Sequence, residues 1–128
     1  MTSTGLFTED DAKEALLSFA RKDKQKALLI ERIYRWETSH FKSLQFKRTG
    51  SAGMEVGKWN NLPLNMPYIE MKENGTGIIK KFLVWPNCTA FIQYLSDYID
   101  RYNGNYARWY STSSISQANY RKNIKSVK

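Results

Sequence analysis

Residues 23–37 read DKQKALLIERIYRWE. The apolar positions in this stretch recur three and four residues apart, which is the spacing of one face of a helix. They are numerous enough to cover much of the helix surface, so the pattern predicts a largely buried helix that begins near Asp23 and ends near Glu37. Those apolar positions are Leu28, Leu29, Ile30, Ile33, Tyr34 and Trp36.

A second helix is predicted ahead of this stretch. Thr8 and Asp11 have the spacing of a capping box, in which each residue's side chain bonds the other's backbone N–H. We therefore expect a helix from about Glu9 to Arg21, preceded by a loose lead-in over residues 1–7.

A β-hairpin and two more helices are predicted further along the chain. Residues 68–73 and 77–85 resemble strands and flank Asn74-Gly75, a pair favoured where both turn residues need positive φ. A helix should follow Pro86, with Thr89 as its cap and Asn103-Gly104 as its left-handed stop, and a last helix should follow the Ser/Thr run at 111–114. The inward-facing residues of that last helix should be Ile115, Tyr120 and Ile124.

Residues 39–67 have no clear periodicity and are punctuated by glycine and proline. Long irregular segments in compact domains are usually functional or disordered, and the apolar content of this one favours an ordered, packed loop. Together the patterns predict a mainly helical α+β domain with one β-hairpin, formed by residues 1–128 as a single unit. The residues expected to pack the loop are Phe41, Leu44, Phe46, Met54 and Trp59.

The composition narrows the possible chemistry. The chain has 128 residues, of which 41% are hydrophobic and 25% are charged, so a globular core is expected. No run approaches the roughly 20 apolar residues of a membrane-spanning helix, and no export signal is visible. A lone cysteine, Cys88, and a lone histidine, His40, argue against a disulfide, a zinc site or a histidine-dependent triad. No metal or other cofactor is expected, and carboxylates remain as candidate catalysts.

The net charge of +8 predicts attraction to a polyanion, which could be nucleic acid, an anionic membrane or an anionic cell wall. The basic residues are spread along the chain, without an arginine-rich arm, a zinc finger or an RNP-type aromatic motif. Nucleic-acid binding is therefore kept as an alternative and not as the leading interpretation.

Glu37 is the first candidate for catalysis, because it ends the most apolar predicted helix, next to Trp36. A carboxyl held against apolar side chains has a raised pKa, since burial disfavours its charged form. Such a group can donate a proton at neutral pH, as the general acid of glycosidic bond cleavage does. The alternative interpretation is an ordinary exposed glutamate at a helix end.

The sequence around this residue resembles a known enzyme family. Residues 37–43 read ETSHFKS and residues 49–54 read TGSAGM. They are similar to the glucosaminidase family of the lysozyme-like superfamily, the flagellar and autolysin-type peptidoglycan hydrolases. In that family a helix ends in a catalytic Glu, followed by Ser-Gly-Trp-Gly-Lys-Ser and by a loop containing Asn-x-Phe-Gly. Lys42 and Ser43 match at that spacing, and Gly53 stands for the loop glycine.

The chain departs from this pattern after Glu37 and matches it again further on. Ser39 and Phe41 replace the two family glycines, and His40 replaces the Trp. The Asn-Gly hairpin, the SDY sequence at 96–98 and the closing NYRKNI sequence at 119–124 follow the family's order of motifs. The resemblance spans roughly residues 25–127.

The resemblance implies a lysozyme-like fold and an endo-β-N-acetylglucosaminidase type of peptidoglycan hydrolase, with muramidase action not excluded. Glu37 would be the general acid, and Glu70 on the hairpin would act on water or stabilise positive charge at the sugar, with Glu73 as the alternative. Glu70 points to the open side of the hairpin if Ile69 and Met71 pack inward. The residues expected to contact substrate are Ser43, Gly53, Trp59, Glu73 and Tyr120.

The expected partner is the glycan strand of peptidoglycan. Because no export signal is visible, we expect cytoplasmic synthesis and delivery to the wall by a phage, a holin or a secretion apparatus. Two alternatives remain open. A catalytically inactive relative could serve as a structural or wall-binding part, for example of a phage virion, since the bulky Phe41 could reshape the cleft. A basic nucleic-acid-binding protein is the other.

Overall fold

The computed structural model describes residues 6–73, 75–102 and 112–128. Within these residues the chain forms six helices and one antiparallel pair of strands, which confirms the predicted mainly helical α+β class. The elements are α1 (Glu9–Ala20), α2 (Lys24–Glu37), α3 (Leu44–Thr49), β1 (Tyr68–Lys72), β2 (Ile79–Leu83), α4 (Cys88–Arg101), α5 (Thr112–Ser116) and α6 (Arg121–Lys125).

Helices α1 and α2 begin where the sequence predicts, α1 after its predicted cap Thr8 and α2 next to Asp23. Thr8 accepts a hydrogen bond from the backbone N–H of Asp11 at 3.2 Å, and the Asp11 carboxylate accepts one from the N–H of Thr8 at 2.8 Å. Asp23 caps α2 by accepting from the N–H of Lys26 at 3.0 Å. The two helices pack on each other and on α4, so α2 is buried on most of its sides.

Tyr34 of α2 lies at the centre of an aromatic cluster. The centroid of its ring is 5.1 Å from that of Phe41, 5.6 Å from that of Phe46 and 4.9 Å from that of Phe91. Its hydroxyl donates to the backbone carbonyl of Gly50 at 2.5 Å, and burial raises its pKa well above the ordinary value. These contacts fix the segment after α2 to the core, as predicted for a packed loop.

The same segment also contains a helix that the sequence did not predict. Ser43 accepts a hydrogen bond from the N–H of Phe46 at 3.1 Å and so begins α3. Gly50, with a φ of 80°, ends α3 in the left-handed conformation. The helix has six residues, too few for a periodic apolar pattern, and Leu44, which was expected to pack inward, is 57% exposed.

The hairpin pairs β1 and β2 in a register that places Glu70 opposite Lys81. Both strands are shorter than predicted, because pairing covers only Tyr68–Lys72 and Ile79–Leu83. The preceding loop extends the sheet beyond β2, since the N–H of Val56 donates to the carbonyl of Lys81 at 2.9 Å. The hairpin is therefore attached to the loop along one edge.

Two predictions about helix boundaries are wrong. Helix α4 begins two residues earlier than expected, because Asn87 and not Thr89 accepts the capping hydrogen bond, from the N–H of Ala90 at 2.8 Å. The expected last helix is two short helices, α5 and α6. They are separated because the backbone of Gln117 and Asn119, between them, is hydrogen-bonded to side chains of α2.

The inward residues of these last helices agree in part with prediction. Ile124 is fully buried, whereas Ile115 and Tyr120 are half-buried. The predicted helix stop at Asn103-Gly104 lies outside the described residues. None of the described helices has the length and apolarity needed to span a membrane.

The cap of α4 can be tested by two substitutions. Replacing Asn87 by Ala should lower the free energy of unfolding by about 1 kcal/mol, because the N–H of Ala90 loses its acceptor. The matched variant Thr89→Ala removes an exposed side chain that makes no capping bond and should change stability by less than about 0.5 kcal/mol. Urea denaturation of the three proteins measures both effects, and an equal loss for both variants would contradict the assignment.

Candidate active site

Glu37 is the last residue of α2, and its side chain is exposed. Trp36 beside it is 58% exposed and has the guanidinium of Arg32 over its ring, 4.7 Å from the centroid. The expectation that apolar side chains enclose the Glu37 carboxyl is therefore wrong. The structure places this acid at the surface, at the end of a helix in which most residues are buried.

The turn that follows Glu37 is held by Thr38, which is fully buried. Its hydroxyl donates to the carbonyl of Tyr34 at 2.7 Å and accepts from the N–H of Phe41 at 2.9 Å. The carbonyl of Thr38 accepts from the N–H of Ser43 at 3.0 Å. One buried residue thus connects the end of α2 to the chain that leads into α3, and it fixes the backbone next to Glu37.

Three consecutive residues of this turn have positive φ although none is glycine. The φ values are 52° for Ser39, 60° for His40 and 63° for Phe41. The left-handed conformation costs roughly 1–2 kcal/mol for each such residue. The Phe41 side chain, only 3% exposed, packs on Tyr34 and Phe46, and this packing offsets part of the cost. A strained backbone of this kind persists only where its surroundings over-determine it, and such sites cluster at functional positions.

The strain at residue 39 predicts that Ser39→Gly stabilises the protein. Glycine adopts positive φ without steric cost, so the free energy of unfolding should rise by about 0.5–1 kcal/mol after its larger unfolded-state entropy is subtracted. Ser18, exposed within α1, provides the matched control, and Ser18→Gly should lower stability by about 0.5–1 kcal/mol. Thermal unfolding shows whether each substitution raises or lowers stability. Destabilisation by Ser39→Gly would contradict the proposed backbone strain at residue 39.

The carboxyl that the fold does bury is Glu31, which the sequence analysis did not identify. It is fully buried in α2 and accepts hydrogen bonds from Nε of Arg35 at 3.2 Å and from the N–H of Asn119 at 2.9 Å. Arg35 in turn donates to the carbonyl of Gln117 at 3.0 Å. Because Glu31 is inaccessible to a substrate, its role is to attach residues 117–119 to α2. Its signal in the sequence is an (i, i+4) acid–base pair inside an apolar stripe.

Removal of one partner tests this buried pair. Glu31→Ala should lower the free energy of unfolding by about 3–5 kcal/mol, because it leaves the Arg35 charge buried without its anion. Glu31→Gln keeps the shape of the side chain and one hydrogen-bond acceptor, so it should lower the free energy of unfolding by less.

The pH dependence gives a second test. Burial raises the pKa of Glu31 above its ordinary 4.5, against the opposing effects of the Asn119 N–H and of Arg35. The folded protein therefore holds this proton more tightly than the unfolded chain does, so the contribution of Glu31 to stability is largest below pH 4.5 and falls as the pH rises through the raised pKa. The unfolding free energy of Glu31→Gln, relative to that of the parent, should thus increase as the pH rises above 4.5. A constant difference would contradict this.

The hairpin acids Glu70 and Glu73 lie on opposite faces. Glu70 is exposed, whereas Met71 is buried, which confirms the predicted alternation. Glu73 accepts from the ammonium of Lys80 at 2.8 Å, and this bond, followed by one from Thr76, lowers the pKa of its carboxyl.

Lys80 also connects the hairpin to the preceding loop. Its ammonium lies 3.3 Å from the Glu55 carboxylate, so Glu55 and Glu73 share one cation. Both carboxylates raise the pKa of the Lys80 ammonium. Glu70, across the strand from Lys81, is not part of this cluster.

The residues predicted to contact substrate are dispersed and mostly engaged in packing. Ser43 caps α3, and Gly53, with a φ of 81°, lies against the side chain of Gln45. Trp59 is half-buried, and its ring centroid is 5.4 Å from that of Tyr98.

Tyr120 is half-buried on the side of the molecule formed by α1. Its hydroxyl donates to the Glu9 carboxylate, and the Lys13 ammonium lies 5.1 Å from its ring centroid. The contacts of Tyr120 are thus with the first half of α1 and not with the hairpin acids.

A pocket of 540 Å³ lies elsewhere, between α1 and the start of α4. Cys88 lines it, but burial raises the pKa of this thiol to about 11, so the thiol stays protonated and unreactive. Among the described residues, no group of three or more potential ligands could hold a metal ion. None of the predicted site residues lines this pocket; its walls include Phe7, Asp11, Arg48, Trp85 and Asn87.

Comparison with known proteins finds no matching family model, no matching curated protein and no matching solved structure.

Proposed function

We propose that this protein cleaves the glycan strand of peptidoglycan, with Glu37 as the general acid. The observation that carries the proposal is the backbone after Glu37. Ser39 and Phe41 stand where the glucosaminidase pattern has glycine, and both have positive φ, the conformation for which glycine is favoured. A backbone conformation that favours glycine at these two positions supports the proposal, although the glycines themselves are replaced.

Two neighbouring residues give the proposal further support. Thr38 stands where the pattern has Ser, and its hydroxyl makes the two hydrogen bonds that hold the turn. Phe41, which could have obstructed a cleft, packs into the core, so its bulk does not argue against a substrate at Glu37. The acid itself is accessible, as a group that touches substrate must be.

The proposed reaction needs a proton donor and a second carboxylate. Glu37 would give its proton to the glycosidic oxygen as the C1–O bond breaks. An ionised carboxylate on the hairpin would stabilise the positive charge at C1 or take the proton of the water that adds there. Glu70 is the preferred candidate, because Glu73 is already paired with Lys80.

Digestion of purified peptidoglycan tests the proposal. The parent protein should release glycan fragments with N-acetylglucosamine at the new reducing end, detected by mass spectrometry. Glu37→Gln should lower the rate by about 10²–10⁴-fold, because the general acid is lost. Glu70→Gln and Glu73→Gln, assayed in parallel, identify the second carboxylate.

Asp97→Asn serves as the control, since Asp97 is an exposed acid on α4 that bonds Gln93, and its rate should equal that of the parent. Release of fragments by Glu37→Gln at the parent rate would refute the assignment of the acid. If the parent protein releases no fragments, the proposed enzymatic activity is refuted and a structural, wall-binding role is favoured.

A further inference from the structure

Exposed basic residues lie in the turn between α1 and α2 and in the segment from α6 to residue 128. Helix α6 packs on α1 and α2 through the fully buried Ile124. The Lys24 ammonium donates to the carbonyl of Lys125 at 3.1 Å. A shallow groove beside these residues is lined by both Arg21 and Lys128. The exposed residues that form this surface, here called the basic patch, are Arg21, Lys22, Lys24, Lys122, Lys125 and Lys128.

The basic patch has little compensating negative charge. Asp23 lies within its segments and caps α2, and Glu14 borders its groove. Lys26 is excluded from the patch because it is paired with Asp100. Six cations against two carboxylates leave four positive charges, which is half of the net charge of +8 of the whole chain.

We propose that the basic patch binds a linear phosphate polymer of the cell wall, a polyol-phosphate chain without bases. This inference rests on the proposed function, because that function takes the protein to the wall. The charge is complementary, and five of the six cations are lysines, whose compact ammonium on a flexible stem suits a flexible chain of repeated charges.

The position of the neighbouring aromatic residue favours a polymer without bases over single-stranded nucleic acid. Proteins that bind single strands stack the bases on aromatic rings. Tyr120, the described aromatic residue next to the patch, is half-buried and has the Lys13 ammonium over its ring. Within the described part of the chain, the patch thus offers ammonium groups for phosphates, whereas the ring of Tyr120 is already in contact with a cation.

The position of the patch is compatible with cleavage of a glycan by the same molecule. Lys24 begins α2 and Glu37 ends it, so the two surfaces are separated by about 20 Å along the axis of a 14-residue helix. A phosphate polymer on the patch would leave Glu37 uncovered. Binding there would raise the concentration of the protein at the wall without competing for the acid.

Binding of isolated poly(glycerol phosphate), measured by isothermal titration calorimetry, tests the inference without any hydrolysis. The patch variant carries Arg21→Gln, Lys22→Gln, Lys122→Gln and Lys125→Gln. The control variant carries Lys47→Gln, Arg48→Gln, Lys58→Gln and Lys72→Gln, which removes one arginine and three lysines from exposed positions elsewhere. The two variants have equal net charge, and thermal unfolding confirms that both are folded.

The patch variant should bind about 10- to 100-fold more weakly than the parent and show a smaller dependence of affinity on salt, whereas the control should lose less than about threefold. Equal losses of affinity in the two variants would overturn the proposed role of the basic patch, because net charge alone would then explain binding. Tighter binding of duplex DNA than of poly(glycerol phosphate) at equal phosphate concentration would overturn the choice of polymer. If the peptidoglycan digestion test of Glu37 fails while poly(glycerol phosphate) is still bound, the proposed hydrolase activity is refuted. The phosphate-binding role of the basic patch then stands on its own.

Discussion

Burial of α2 on most of its sides is the constraint on which the rest of the structure depends. A helix surrounded by other elements cannot leave a charge without a partner, because an isolated charge in the interior costs several kcal/mol. Glu31 and Arg35 meet this requirement together, and they do so with the help of backbone groups at 117 and 119. The path of the C-terminal segment follows from that need, since it supplies the hydrogen bonds that α2 lacks.

The same burial determines how the chain leaves α2. Thr38 is held in the core, so the chain must reverse within a few residues, and it does so through three left-handed residues. Packing of Phe41 against Tyr34 compensates part of the strain. The result is an exposed acid at the edge of a rigid turn. Pre-organisation of this kind is useful to a catalytic group, because its backbone does not have to be ordered when substrate arrives.

Local signals in the sequence predicted much of the fold. The caps at Thr8 and Asp23 act through neighbours three residues away, and the alternation in β1 depends only on strand geometry. The prediction of Thr89 as the cap of α4 was wrong because Asn87, two residues earlier, is a residue type that can accept the same kind of bond. Helix α3 has too few residues to produce a periodic pattern.

The candidate site was less predictable for a physical reason. The environment of a side chain depends on elements distant in the sequence, and Asn119 lies 88 residues from the Glu31 it binds. The pattern of α2 therefore indicated that an acid would be buried but suggested the wrong one. Glu31 is enclosed by the C-terminal segment, and Glu37 is exposed at the end of the helix.

The bonds between α2 and residues 117–119 also bear on how the protein is made. On the ribosome, α2 is complete long before those residues have been synthesised, so its interior charges wait without their backbone partners. A chain interrupted before residue 117 therefore lacks the backbone groups that Arg35 and Glu31 bind in the folded protein.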